Sequence, residues 1–180
     1  MKNIKIKEAH NFIRKELPKK LQRDLRDLKM VREADLESSA YFHLRSYLKS
    51  DSNWRIFARK HTKTTGHYID LLLFRKTTPR IAIELKWNRD STNSKDEASL
   101  KKAIKKLNVN RSYFITTITS QEPSWKEQLP YKIPIEPRRI LSIYIPLGIP
   151  QEKNEDWNKR RQLYTSKMQR GTARHVSTRR

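Results

Sequence analysis

Apolar and polar residues alternate along two neighbouring segments near the middle of the chain. From Ile81 to Trp87 the alternation predicts a half-buried β-strand, with Glu84 and Lys86 on the face opposite the large apolar residues. The segment from Tyr68 to Phe74 also predicts a strand, and Asp70 is its one acidic residue. Ionised side chains within apolar strands cost free energy unless they are paired or bind something. These three residues are therefore the first candidates for a functional role.

The two strands are predicted to form a hairpin. Residues 76–80 separate them and include a proline, which is typical of a turn. If the turn centres on Thr77, Asp70 lies opposite Glu84, and opposed side chains share a face with Cβ atoms about 4.5–5.5 Å apart. A one-residue shift of the turn would place the two acids diagonally. In either register Asp70, Glu84 and Lys86 are predicted to converge on one patch.

Apolar residues at helical spacing predict helices on both sides of this hairpin. Residues 31–49 form an amphipathic helix. A capping box with Ser94 as N-cap begins a second helix, which runs to about Leu107. Residues 1–30 show two apolar stripes interrupted at Pro18, which predicts two helices. These helices either pack on the core as an arm or form an appendage that faces nucleic acid.

Further strands complete an α/β pattern. β-Branched and aromatic residues predict them at Trp54–Arg59, Ser112–Ile118 and Ile140–Ile145. A strand, a helix and a strand in succession predict a right-handed crossover between parallel strands. The expected fold class is α/β, with a central mixed sheet of about four to five strands flanked by helices. The expected divisions are an N-terminal helical arm at 1–30, a core domain at 31–150 and a basic C-terminal extension, disordered in part, at 151–180.

The charge of the chain indicates its partner. Its 180 residues include 41 Lys and Arg against 19 Asp and Glu, for a net charge of +22. Such a field attracts polyanions, so nucleic acid is the expected partner and an anionic membrane surface comes second. No signal peptide or membrane-spanning stretch is evident, and a cytoplasmic location is expected. The chain has no cysteine, which excludes disulfides and Cys-based zinc sites, and its three glycines disfavour a nucleotide-binding loop.

Two converging carboxylates need a cation or a proton between them. Mg²⁺ suits such a pair because it prefers oxygen ligands and takes one or two carboxylates together with water and phosphate oxygens. Lys86 is placed to orient or deprotonate a water, or to stabilise charge on a phosphate. The alternative is a salt bridge on the exposed face of an amphipathic sheet, because Glu-x-Lys is common in basic proteins.

The order of these residues resembles the PD-(D/E)xK nuclease superfamily. Asp70 lies in one strand, a turn follows, and Glu84-Leu85-Lys86 lies in the next strand. The resemblance extends over residues 31–146. One departure is Ile69, because the superfamily often has proline before the aspartate.

The resemblance implies a restriction-endonuclease-like core and a set of roles. Asp70 and Glu84 would bind Mg²⁺, for which Mn²⁺ could substitute, and the carbonyl of Leu85 would be a further ligand. Lys86 would be the catalytic lysine, which makes Asp70, Glu84 and Lys86 the catalytic set.

The superfamily also has an acid on the helix before the first strand. Glu33 and Glu37 lie four residues apart on one face of the predicted helix at 31–49. Glu37 lies at the edge of the apolar stripe and is the preferred metal ligand, with Glu33 as runner-up. The alternative is that both are solvated acids near a helix N-terminus, where the helix dipole favours them.

The sequence therefore predicts a metal-dependent nuclease, a hydrolase of phosphodiester bonds with DNA as the favoured substrate. Contacts to the nucleic-acid backbone are assigned to Lys101, Lys102, Lys105, Lys106, Arg160 and Arg161. The main alternative is a non-catalytic basic nucleic-acid-binding protein on the same fold, and an RNA-processing enzyme of the same superfamily comes third. A homodimer is compatible with this function, but the sequence identifies no dimer surface.

Overall fold

A mixed β-sheet runs through the molecule, with helices on both of its faces. The computed structural model describes residues 3–62, 66–87, 94–118, 134–135, 140–147, 155–163 and 166. The strands are β1 (Trp54–Thr62), β2 (His67–Arg75), β3 (Thr78–Lys86), β4 (Arg111–Ile118), β5 (Pro134–Ile135) and β6 (Ile140–Pro146). The helices are α1 (Ile6–Asn11), a π-helical turn (Phe12–Glu16), α2 (Leu17–Arg26), α3 (Glu33–Leu48) and α4 (Ser94–Leu107). Residues 155–163 are also helical.

The strand order is β1-β2-β3-β4-β6-β5. The first three strands are antiparallel, β3, β4 and β6 are parallel to one another, and β5 is antiparallel to β6. The predicted α/β class, the mixed sheet and the parallel β3-α4-β4 crossover are confirmed. The sheet has five longer strands, in agreement with the expected four to five, and β5 adds a sixth of only two residues.

The turn between β2 and β3 is shorter than predicted. It contains only Lys76 and Thr77, and Lys76 has a left-handed φ of 57°. Pro79 lies within β3 and pairs with Phe74 beside a shift in register. Proline is tolerated there because the start of a strand and a bulge are the positions where a missing N–H disrupts the ladder least.

The N-terminal helices are continuous through Pro18. Helical residues run without a gap from Ile6 to Arg26, so the predicted interruption is wrong. The π-helical turn precedes Pro18, which occupies the first turn of α2. Because the helix is continuous here, proline removes one hydrogen bond to the preceding turn, and the π-helical turn lies where that hydrogen-bond pattern is disturbed.

Two hydrophobic cores lie on opposite faces of the sheet. Residues of α1, α2 and α3 share the larger core with Trp157, so the segments at both ends of the chain pack on the central domain. Residues of the predicted arm thus pack on the core, and whether the same helices also face nucleic acid stays a prediction. The smaller core is covered by α4. Within the described ranges, no helix has the length and apolar character needed to cross a bilayer.

Several sequence-based expectations fall on residues outside the described ranges. They are a polar loop expected at 88–93, most of a connection expected around Pro130, Pro134 and Pro137, and most of the C-terminal extension. Helix α4 begins at Ser94 itself, one residue earlier than an N-cap at that position implies.

Candidate active site

Strands β2 and β3 part where Asp70 lies. Their pairing ends at Leu71 and Ile83, in the register that would next place Asp70 opposite Glu84. Oδ2 of Asp70 instead accepts a hydrogen bond of 2.8 Å from the N–H of Leu85. A side chain of β2, rather than its backbone, thus binds this main-chain donor of β3. The hydrogen bond holds the carboxylate against the end of β3.

The alternation of side chains along β2 is interrupted at the same point. Leu71 and Leu73 belong to the larger core, but Ile69 packs in the smaller core on the other face. In β1, Arg59 stands across from Asp70 and has a left-handed φ of 46°. Interrupted alternation and left-handed residues within strands change the direction in which neighbouring side chains point. Asp70 is therefore directed by a break in the strand pattern that alternation alone does not predict.

Lys86 lies between two carboxylates. Its Nζ is 3.0 Å from Oε1 of Glu84 and 3.5 Å from Oε1 of Glu33. The side chains of Lys86 and Glu84 are 13% and 8% exposed, so this pair is screened little by solvent. Oε2 of Glu33 accepts a hydrogen bond of 3.3 Å from the N–H of Trp87. The first residue of α3 is thereby fixed to the end of β3.

Glu37 has a different partner. Arg59 donates two hydrogen bonds to its carboxylate, from Nε at 2.8 Å and from a terminal nitrogen at 3.0 Å. The sequence prefers Glu37 as the helix ligand, yet Glu33 is the helix acid that contacts Lys86. Both carboxylates act electrostatically on Asp70. The choice between them stays a prediction.

The pKa values of two groups of the site are both raised in the folded protein. Burial raises the pKa of the Asp70 carboxyl, and the charges of Glu37 and Glu33 raise it further against the Leu85 hydrogen bond and Lys86. Burial alone lowers the pKa of the Lys86 ammonium, but the charge and hydrogen bond of Glu84 together with the charges of Asp70 and Glu33 outweigh it, so that the pKa is raised above its usual value. The site thus has more negative charge than its folded environment accommodates easily.

The donor set fits Mg²⁺ on chemical grounds. Four carboxylates adjoin two cations, namely Glu33, Glu37, Asp70 and Glu84 beside Lys86 and Arg59. Across the described ranges, no three Asp, Glu or His side chains are arranged so that they could hold a metal ion as they stand. Mg²⁺ does not require three, because it keeps several waters and takes one or two carboxylates together with substrate phosphates.

The lysines assigned to nucleic-acid contacts lie on α4. Lys101, Lys105 and Lys106 are exposed, and Lys102 is half-buried. Helix α4 covers the opposite face of the sheet from α3. These lysines therefore stand on the other side of the sheet from the acids of α3.

The two arginines of the C-terminal extension that are assigned to nucleic-acid contacts have different surroundings. Arg160 is exposed and pairs with Asp156 one helical turn away, at 2.8 Å. The guanidinium of Arg161 lies 5.4 Å from the ring centre of Trp87 and 5.8 Å from that of Trp157. Its Nε also donates to the carbonyl of Val31 at 3.3 Å. Arg161 is thus packed beside the residue that follows Lys86.

Sequence reasoning assigned no role to Arg59 or Trp87. Arg59 lies in a predicted strand among other cations, and its left-handed backbone cannot be read from composition. Alternation predicts that Trp87 lies on the apolar face of its strand, and this does not indicate that its backbone N–H donates a hydrogen bond to Glu33. Only the three-dimensional contacts single these two residues out.

Comparisons with known proteins give little beyond this geometry. No family model matches the chain, and no curated protein matches it. Among solved structures, a chain of a tetradecameric assembly of Thermococcus gammatolerans McrB AAA+ hexamers with bound McrC is similar, with 9% identity and a TM-score of 0.39 over 69% of this chain. The present chain spans 31% of the length of that chain. At this TM-score the likeness carries no argument about fold or function.

Proposed function

We propose that this protein is a Mg²⁺-dependent nuclease that hydrolyses phosphodiester bonds in nucleic acid, with DNA as the favoured substrate. The observation that carries the proposal is the arrangement at the ends of β2 and β3. There Asp70 binds the N–H of Leu85, and Lys86 contacts Glu84 next to it. The PD-(D/E)xK resemblance assigns catalytic roles to these same three ionisable residues.

Asp70 and Glu84 would hold the metal, with Glu33 or Glu37 as the helix acid. When bound, Mg²⁺ supplies a Lewis acid that polarises the phosphodiester and lowers the pKa of a coordinated water. Lys86 is suited to orient the attacking water or to stabilise charge on the phosphate. Its raised pKa favours these roles over that of a base, because the ammonium stays protonated while Glu84 is beside it.

The net charge of +22 supports a polyanionic substrate. One observation favours the alternative of a non-catalytic nucleic-acid-binding protein. Lys86 with Glu84, and Arg59 with Glu37, already neutralise part of the acid cluster without a metal. The two functions differ in their response to metal and to loss of Asp70.

A cleavage assay distinguishes them. The purified protein is incubated with plasmid, linear duplex, branched and single-stranded DNA and with RNA, in Mg²⁺, in Mn²⁺ or in EDTA. We expect metal-dependent cleavage that falls at least about 100-fold in Asp70→Ala and in Glu84→Gln. Binding in EDTA should persist in both variants, because each one removes negative charge.

The matched control is Glu155→Gln, which changes an exposed acid in the helical segment at 155–163. It should cleave like the wild type. Binding without cleavage under all metal conditions would contradict the nuclease and favour the binding protein, whereas cleavage that is unaffected by Asp70→Ala would contradict the assigned active site.

A further inference from the structure

A cavity of about 360 Å³ lies between the N-terminal helices and the end of β6. Three cations line it, namely Arg14, Lys15 and Lys19, and Tyr144 and Pro146 contribute flatter surfaces from β6. Arg14 and Lys15 belong to the π-helical turn. Such turns are rare overall, and those that occur are often found at functional sites. The cavity is therefore basic and partly apolar at once.

The positive charge of this cavity is hardly neutralised within the described residues. Arg14 and Lys15 form no ion pair there, and Nε of Arg14 is buried without a hydrogen-bond partner. Lys19 pairs with Glu16 at 3.3 Å, but the side chains are 72% and 52% exposed. A pair that exposed contributes little and is easily broken. A buried guanidinium N–H that lacks an acceptor indicates an unmet need for an anion or a water.

The side chains of His10 and Tyr113, which interact electrostatically with Arg14, do not supply that anion. His10 and Tyr113 share a hydrogen bond of 2.7 Å. Burial, together with the charges of Arg111 and Arg14, lowers the pKa of His10 to about 4. The charged groups that act on this ring are thus two arginines, and the histidine is neutral at pH 7. A ligand with negative charge would complement the cluster.

The cavity lies at the same end of the sheet as the candidate active site. Lys86 pairs with Thr116 of β4, and Thr116 pairs with Tyr144 of β6. Two strand spacings separate the backbones of Lys86 and Tyr144 by about 10 Å. One strand of B-DNA rises 3.4 Å per nucleotide, so this separation corresponds to about three nucleotides.

We propose that the cavity binds a backbone phosphate of the substrate strand, a few nucleotides from the bond that is cut. The guanidinium of Arg14 would donate to the phosphate oxygens, Lys15 would add charge, and Tyr144 would contact the sugar or base. This inference rests on the proposed function, because it assumes that the strand passes Lys86.

Binding of labelled oligonucleotides in EDTA tests the site without requiring cleavage. Arg14→Gln and Lys15→Gln are compared with Lys20→Gln, an exposed α2 residue outside the cavity. We expect Arg14→Gln to weaken binding of a 15-nucleotide strand or duplex by about tenfold. The plot of log binding constant against log salt concentration should become less steep by about 0.9 for the duplex. Lys15→Gln should show a smaller loss and Lys20→Gln less than a twofold loss.

Three results would overturn the site. One is an equal loss in Lys20→Gln, which would indicate a general field. Another is unchanged affinity and slope in both cavity variants, with circular dichroism showing that they are folded. The third is a thermal shift with inorganic phosphate or deoxyadenosine monophosphate that depends on Arg14 while oligonucleotide binding does not, which would assign the cavity to a free anion. Because cleavage is not measured, failure here leaves the metal-dependence test of the nuclease intact.

Discussion

Two regions at one end of the sheet have opposite charge. The acid site combines Asp70 and Glu84 of the strands with carboxylates of α3. The cationic cavity has Arg14 and Lys15 from the π-helical turn. Both contain more charge of one sign than their own contacts neutralise. The difference indicates separate tasks, because excess negative charge suits a cation and excess positive charge suits a phosphate.

The largest expected effect concerns metal binding at the acid site. Mg²⁺ at a hundred times its Kd should raise the free energy of unfolding by about 2.7 kcal/mol, and Tm by about 5–10 °C. Asp70→Asn should lose most of this response. Differential scanning fluorimetry with and without Mg²⁺ measures both.

The same variant should be more stable than the wild type in EDTA. The pKa of Asp70 is raised in the folded state, so its contribution is favourable below the unfolded pKa and is lost as pH rises through the folded pKa. At neutral pH the charge is therefore unfavourable, and its removal should help. An undiminished Mg²⁺ response in Asp70→Asn, or a lost response in Arg14→Gln, would contradict the division between the two regions.

A smaller effect is expected at His10, which is electrostatically coupled to Arg14 of the cationic cavity, and its pH dependence has the opposite sign. His10 has a folded-state pKa of about 4, below its ordinary 6.5. The unfolded chain therefore takes up a proton first as pH falls from 6.5 to 4, and stability is lost in that window. For a partly buried ring we expect a loss of about 1–2 kcal/mol.

His10→Gln should remove most of this loss in urea unfolding at pH 7 and pH 5. The exposed His61→Gln corrects for the removal of a histidine elsewhere. If His10→Gln shows the wild-type difference between the two pH values, the ring is not held neutral by its burial and by the charges of Arg111 and Arg14.

The smallest effect separates the two arginines of the C-terminal extension. Arg161→Ala removes contacts with two indole rings and a carbonyl, and should lower the free energy of unfolding by about 1 kcal/mol. Arg160→Ala removes an exposed i,i+4 pair and should change it by less than about 0.5 kcal/mol. Urea unfolding of both variants measures the difference. Equal changes in the free energy of unfolding would mean that the contacts of Arg161 stabilise the fold no more than the exposed ion pair of Arg160 does.

The register of the acid site could be predicted only to within one residue. A turn centred on Thr77 predicts Asp70 opposite Glu84, and the observed pairing of Leu71 with Ile83 has this register. Hydrophobicity does not fix it, because Leu71, Leu72 and Leu73 are all buried and β2 therefore packs with both of its faces.

The interruption at Asp70 could not be predicted, because the alternation of the sequence gives no sign of it or of the left-handed Arg59 in the neighbouring strand β1. The helix acid is difficult to assign for a related reason. Glu33 and Glu37 lie on one helix face, the edge of the apolar stripe favours Glu37, and the contacts that distinguish them in the structure cannot be read from the sequence.

The cationic cavity gave no signal in the sequence. With 41 Lys and Arg in 180 residues, Arg14 and Lys15 do not stand out from their neighbours. Their position follows from a π-helical turn and from the packing of α2 on β6, which are tertiary features. The predicted interruption at Pro18 failed for the same reason, because propensity gives no information about the turn that precedes it.

The hydrogen bond from Leu85 to Asp70 bears on ion discrimination. It occupies Oδ2, and within the described residues Oδ1 accepts no hydrogen bond. Under the proposed function, Asp70 would offer Oδ1 to a cation first, because the hydrogen bond to Oδ2 makes coordination through both oxygens less favourable. Ca²⁺ needs six to eight oxygens and often takes carboxylates through both, whereas Mg²⁺ fills its octahedron largely with water. The preference for the smaller ion would then originate in a peptide N–H, which substitutions of the apolar side chain at position 85 leave in place.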